Sequence, residues 1–347
     1  QYNAIVATCQ EILEGKHHDQ FPVDMIQGGA GTTTNMNANE VICNRALQIM
    51  GHEAGEYKYL QPNDHVNCSQ STNDAYPTAI HLGLYATHLA LRPHLEELIA
   101  SLRKKSAEFA HILKMGRTQL EDAVPMSLGQ TFGGFAAILE EELAYLDFAA
   151  KQFLTINMGA TAIGTGICSE PGYAEACIKA TADITGWDIK LTEDLVGATS
   201  DTSVMIGYSS ALKRIAVKLN KIGNDIRLLA SGPRCGLHEI NVPAMQPGSS
   251  IMPGKVNPVI PEVLSQVCYK AIGNDMAGDA AQMELNAMEP VMAQCCFESC
   301  DLLMNGMDTF RTLCVDGITA NEDVCRDYIR NSIGIVTALN PVIGYKN

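Results

Sequence analysis

Residues 208–231 read YSSALKRIAVKLNKIGNDIRLLAS. Leu212, Ile215, Leu219, Ile222, Ile226 and Leu229 step alternately by three and four residues. That spacing is close to the 3.5-residue repeat of a bundle or coiled-coil seam. Leu91, Leu95, Leu98 and Leu102 form a second seam, and Phe132, Phe135, Leu139, Leu143 and Leu146 a third. A fourth helix is expected to start after Pro261 and run to about residue 283. Helices of this kind reach about 35 Å at 1.5 Å per residue. Val, Ile and Thr never alternate over a long run, so strand signals are sparse. The expected class is all-α: a long-helix bundle with near-antiparallel packing, whose helix length suits a core shared between subunits. The acids Glu140 to Glu142 are expected on a solvated face, and His81 and His111 inside helices as structural residues.

Composition narrows the function. The chain has 347 residues and a formal charge of −15, with 24 Lys and Arg against 39 Asp and Glu. Only Arg103-Lys104-Lys105 forms a basic run, so the concentrated basic face that nucleic acid requires is missing. No run of eighteen apolar residues suggests a membrane span, and no signal-peptide pattern opens the sequence. Twelve cysteines at irregular spacings include no CxxC pair, so neither a metal site nor a disulfide framework is indicated. They read as small buried hydrophobes in a reducing compartment, the cytoplasm.

Between the helices lie four segments rich in small donors: QGGAGTTTNMNANE (27–40), NCSQSTNDAYPT (67–78), GRTQLEDAVPMSLGQ (116–130) and GSSIMPGKVNPVIPE (248–262). One such segment is adequately explained by helix caps and turns. Four of them, each beside a long helix, point to a site. Thr32, Ser71, Thr72, Asn73, Thr118, Gln119, Ser249, Lys255 and Asn257 are neutral hydrogen-bond donors with one cation. That set suits a small polycarboxylate. A further glycine-rich stretch, MGATAIGTGICS (158–169), matches neither GxGxxG nor a phosphate-binding loop.

Removing a proton from carbon beside a carboxylate loads charge onto the carboxylate oxygens, and preorganised donors must meet it. Serine serves as the base only if its alkoxide is stabilised by backbone N–H groups, a helix N-terminus or a nearby ammonium. The GSS of residues 248–250, with Lys255 close by, offers such a setting. Gly248 and Gly254 allow close backbone approach, while Pro253, Pro258 and Pro261 stiffen the loop and start the next helix.

GSSIMPGKVNP resembles the signature loop of the aspartase/fumarase superfamily, G-S-S-x-M-P-x-K-x-N, and the other three segments resemble that family's active-site regions in the same order. The resemblance covers essentially the whole chain. STND at 71–74, Gln119 after Gly-Arg-Thr, and KVNPVIPEV resemble the ammonia-lyase branch more than the fumarases. The resemblance implies reversible elimination of ammonia from L-aspartate to fumarate. Hydration of fumarate to L-malate and a non-catalytic structural use of the fold are the alternatives. It implies Ser249 as the base that takes the Cβ proton, and Lys255 and Asn257 as binders of the α-carboxylate. Thr32, Ser71, Thr72 and Ser250 would bind the β-carboxylate, with Asn73, Thr118 and Gln119 around the amino group. No organic cofactor and no fixed metal site are implied, although divalent metal activates some members. Homotetramers are implied, with each active site drawing on three subunits. The expected domains are 1–62 (remainder of an N-terminal domain), 63–319 (central bundle) and 320–347 (start of a C-terminal domain). Family chains are longer at both ends, so a partial chain is expected. Glu121 stands where Gln is usual; pointed inward, its charge would oppose an anionic substrate.

Overall fold

A computed structural model describes residues 1–278 and 281–345. The helices are α1 (Tyr2–Leu13), α2 (Thr32–Ile49), α3 (Thr72–Glu108), α4 (Leu128–Lys151), α5 (Tyr173–Thr185), α6 (Leu195–Ser200), α7 (Ser203–Leu229), α8 (Val259–Asn274), α9 (Glu289–Leu313), α10 (Glu322–Asn331) and α11 (Asn340–Ile343). Six short strands pair two by two. β1 (Leu113–Thr118) is antiparallel to β2 (Glu121–Ser127), β3 (Thr155–Ile156) parallel to β4 (Lys190–Leu191), and β5 (Ile240–Asn241) antiparallel to β6 (Thr319–Ala320). At 37 residues α3 is about 55 Å long. The all-α expectation holds.

The chain divides into two compact units. The first comprises residues 1–88, 148–209 and 275–298; the second, residues 89–147, 210–274 and 299–347. Residues 346 and 347, the end of the expected C-terminal domain, lie outside the described residues.

Stretches of α3, α4, α7, α8 and α9, with α10 and α11, build the second unit. All six seam residues of 208–231 are buried, as are Leu91, Leu95, Leu98 and Leu102. Arg92 Nε donates to Asp147 at 3.1 Å, and Arg103 Nε to Glu140 at 2.8 Å, which sets α4 antiparallel to α3. Arg214 Nε donates to Glu142 at 2.8 Å, and Lys218 Nζ to the Ile138 carbonyl at 2.8 Å, which sets α7 antiparallel to α4. In the first unit, Cys43, Ala46 and Leu47 of α2 pack with Ala4 of α1 and Leu60. Ile156, Met158 and Ile189 form a second cluster with Trp187 and Tyr173 packed on it.

Several expectations change. Glu142 does not face water: it is fully buried, held by Arg214 and Lys218, while Glu140 pairs with Arg103. Residues 113–127 fold as a β-hairpin rather than a connecting loop. The fourth helix starts at Val259, with Pro261 in its first turn rather than before it, and ends on the weak helix formers Gly273 and Asn274, not near 283; residues 279 and 280 of that stretch lie outside the described residues. His111 sits in a turn beyond α3, exposed, whereas His81 is inside α3 as expected. The helix α9 was not anticipated. Its seam is Met292, Cys296, Cys300, Leu303, Met307 and Phe310, all buried. Two of the clustered cysteines therefore act as small core hydrophobes, whereas Cys68, Cys168 and Cys235 are exposed, against the expectation.

Candidate active site

In the first unit the sites of interest are the N-termini of α2 and α3. Gly31 precedes α2 with φ 88°, a left-handed conformation glycine adopts at no cost. A Cβ there would meet the Tyr76 ring at 2.3 Å, so only glycine lets the start of α2 lie against the start of α3. Thr32 Oγ1 donates to the Gly29 carbonyl at 2.8 Å and the residue is exposed, already the first residue of α2 rather than part of a loop. Asn35 Nδ2 donates to Thr72 Oγ1 and to Asn67 Oδ1, both at 3.1 Å, and Asn39 Nδ2 reaches the same Asn67 oxygen at 2.9 Å. Thr32, Ser71, Thr72 and Asn73 thus gather around two adjacent helix N-termini, whose dipoles favour an anion.

The start of α3 is fixed by reciprocal capping. Asn73 N–H donates to Ser71 Oγ at 3.2 Å, and Ser71 N–H donates to Asp74 Oδ1 at 2.9 Å. Asp74 is fully buried, and its other oxygen accepts from Gly159 N at 3.2 Å and Thr161 N at 2.8 Å. Burial pushes the Asp74 carboxyl up, against the pull of those backbone donors. Asn73 Nδ2 donates to the Ala162 carbonyl at 2.8 Å, and Asn157 Nδ2 to the Asn73 carbonyl at 3.1 Å. The glycine-rich 158–169 stretch, which matched no nucleotide motif, is therefore the brace behind residues 71–74. Sequence reasoning missed Asp74, although the Ser-x-x-Asp spacing of a capping box was there to be read. Asp74→Asn keeps the volume but replaces an acceptor oxygen with a donor against backbone N–H groups. It is expected to cost about 2 kcal/mol of stability and to lower kcat/KM at least about tenfold, since misplacement of a positioned donor is costly. Chemical denaturation and steady-state kinetics on the variant check both; parental values in each would remove its positioning role.

In the second unit Thr118 and Gln119 sit at the tip of the β1–β2 hairpin, both exposed. Gln119 and Leu120 hold φ 56° and 65°, the left-handed pair that a two-residue hairpin turn requires, without glycine at either position. Glu121 faces outward beside them. The strand β1 is fixed along its length: Arg117 Nη1, near the tip, donates to Glu239 Oε1 at 2.6 Å, and Lys114 Nζ, near the base, lies 3.2 Å from Glu239 Oε2, with Glu239 fully buried.

The 248–257 loop is also in the second unit. Asn257 Nδ2 donates to the Gly248 carbonyl at 2.7 Å and closes the loop. A Cβ on Gly248 would lie 1.2 Å from the Lys255 carbonyl oxygen, so this closure requires glycine. Inside the loop Ser249 Oγ accepts from Met252 N at 2.9 Å and from Ile251 N at 3.2 Å. Two backbone donors therefore already converge on the Ser249 oxygen, which is the setting a serine needs if it is to act as a base. Lys255 and Asn257 line a groove of about 750 Å3 with Asn224, Arg227 and Glu262. Ser250 and Lys255 are exposed. Ser249, Lys255 and Asn257 are thus brought together, and Thr118 with Gln119 separately.

A sequence profile described as lyase matches residues 1–273. The chain belongs to this family. Aspartate ammonia-lyase of Pseudomonas fluorescens is 56% identical over 352 residues, spanning all of this chain and 74% of that relative. The Escherichia coli K12 protein of the same name is 54% identical over 350 residues, spanning 99% of this chain and 73% of its own length. Among solved structures, fumarate lyase:delta crystallin from Brucella melitensis bound to cobalt superposes with a TM-score of 0.96 at 52% identity, covering 99% of this chain and 76% of that one. Class II fumarase from Schistosoma mansoni gives 0.95 at 36% identity, over 99% and 76%. The superfamily resemblance read from the four segments holds. Among the described residues no group of three or more His, Cys, Asp and Glu is arranged to hold a metal ion, no disulfide forms, and no helix is long and apolar enough to cross a membrane.

Proposed function

We propose that this lyase is an aspartate ammonia-lyase, which interconverts L-aspartate with fumarate and ammonia. The observation that carries the reading is Ser249 Oγ under two backbone N–H groups, in a loop closed by Asn257 and bearing Lys255. Identity of 54–56% to relatives named for this activity, against 36% to the class II fumarase, favours ammonia over water as the leaving group.

In the forward direction the Ser249 alkoxide takes the Cβ proton and becomes a hydroxyl. The electron pair of the broken C–H bond passes into the β-carboxylate, giving an enediolate with two negative oxygens. Thr32, Ser71, Thr72 and Ser250 donate to those oxygens, and the two helix N-termini lower the cost of the second charge. Lys255 and Asn257 hold the α-carboxylate and fix the substrate relative to Ser249. Collapse of the enediolate forms the Cα–Cβ double bond and expels the amino group beside Asn73, Thr118 and Gln119.

The active form is a homotetramer in which each site draws on three subunits. Ile251, Met252 and Val256 of the signature loop are apolar yet exposed on the chain alone, as are Val217 of α7 and Val263 and Tyr269 of α8. Apolar surface on long helices and on a reactive loop is the kind that subunit contact covers. Residues 1–62, 63–319 and 320–347 then serve as N-terminal, bundle and C-terminal domains. A cytoplasmic location belongs to the same reading.

The reverse reaction tests the mechanism. Fumarate and ammonium supplied in D2O should yield aspartate carrying one deuterium at Cβ and none at Cα, read by NMR. Malate as the product would transfer the assignment to hydration.

A further inference from the structure

Glu289 opens α9, and its carboxyl is 4% exposed. It lies on the wall of a cavity of about 190 Å3, wholly within the first unit, and its Oε2 has no hydrogen-bond partner. The steps proposed above do not use it. A bare buried carboxylate is costly, and burial pushes this one up to about 8. The α9 N-terminus offsets part of that cost but leaves Oε2 unmet.

The rest of the wall says what the carboxylate would accept. Asn157, Thr155, Thr192 and Thr202 bring neutral oxygens, and no lysine or arginine is among the lining residues. His81 donates through Nδ1 to the Thr155 carbonyl at 3.1 Å with that tautomer, and burial pulls its pKa down to about 4, so the ring stays uncharged. Asp201, the other acid on the wall, accepts from Ser203 N at 2.9 Å as the cap of α7 and adds negative field. Such a lining repels anions. It also lacks the several carboxylates by which proteins hold hard divalent ions. A volume of this size takes one ion with a few waters at about 30 Å3 each.

We propose that this cavity is a binding site for a small monovalent cation of ammonium or potassium size, with Glu289 as its counter-charge. The site stands apart from the catalytic reading and does not rest on it, since occupancy is read by binding and stability. Its ligand coincides in chemistry with the ammonia released by the proposed reaction.

The test is thermal unfolding in ammonium, potassium, sodium and tetramethylammonium chlorides at one ionic strength. Ammonium or potassium should raise Tm by about 3 °C over tetramethylammonium, which has no N–H donors and whose methyl groups hold its charge away from Glu289 Oε2. Glu289→Gln, a near-isosteric neutral change, should abolish the difference. Comparing the two favoured ions identifies which occupies the site. Equal Tm in all four salts, or the same shift in the variant, would each overturn the proposal. A crystal grown in rubidium supplies a readout that needs no variant: an anomalous peak beside Glu289 Oε2 is expected, and its absence there counts against the site.

Discussion

Ser249→Ala is expected to lower kcat by about a thousandfold or more while KM for L-aspartate and the oligomeric state stay close to the parent. The scale is that of losing a positioned general base, about 10²–10⁴, together with its preorganised setting. In the structure, Ile251 N and Met252 N point at Oγ, and the loop that aims them is closed by Asn257 and Gly248 without any contribution from the serine hydroxyl beyond those two bonds. Alanine removes the proton acceptor and leaves the closure intact. Steady-state kinetics with size-exclusion chromatography on the same preparation separate a chemical defect from a folding one. Activity within a few-fold of the parent would assign the base to another residue.

The second large effect is expected at Lys255. It is exposed on the isolated chain, lines the same groove as Asn257, and is the only cation in a loop otherwise made of neutral residues. Lys255→Ala should lower kcat/KM by about 10²–10³, equivalent to about 3–4 kcal/mol, the worth of a charge-assisted contact in a water-excluded site. The loss should appear largely in KM if the ammonium binds the substrate carboxylate equally in ground and transition states. Lys255→Arg should rescue only in part, because a planar fork does not replace a compact ammonium. An unchanged kcat/KM in the alanine variant would remove Lys255 from the site.

How much of this was legible in the sequence depended on whether the partners of a residue lay nearby in the chain. The seams of α3 and α7 could be read because leucine and isoleucine recur at helical spacing within one stretch, and every one of those residues is buried. The seam of α9 has the same geometry but opens on methionine and cysteine, at Met292, Cys296 and Cys300, so its periodicity hid behind a cysteine cluster. Glu142 looked like a surface acid because Arg214 and Lys218, which neutralise it in the core, lie more than seventy residues later. The hairpin escaped notice for a similar reason. Lys114 and Arg117 break the strand pattern, and they are tolerated there only because the buried Glu239 meets them from a distant segment.

The site divides along the same line. The 248–257 loop was readable because its glycines, prolines, Ser249, Lys255 and Asn257 act on one another within ten residues. For Asp74 only the capping of Ser71 was written in the local spacing; its burial was not, since two of its backbone donors arrive from residues 159 and 161. The cavity at Glu289 was beyond reach for the same reason: its wall is assembled from α3, the 152–157 and 192–205 stretches and the start of α9.

The most direct test of the central claim is the ultraviolet absorbance of fumarate, followed with L-aspartate and L-malate offered separately to the purified protein. The account predicts fumarate from L-aspartate and none from L-malate, with the signal lost in Ser249→Ala. Fumarate from L-malate, or from neither substrate, would contradict it.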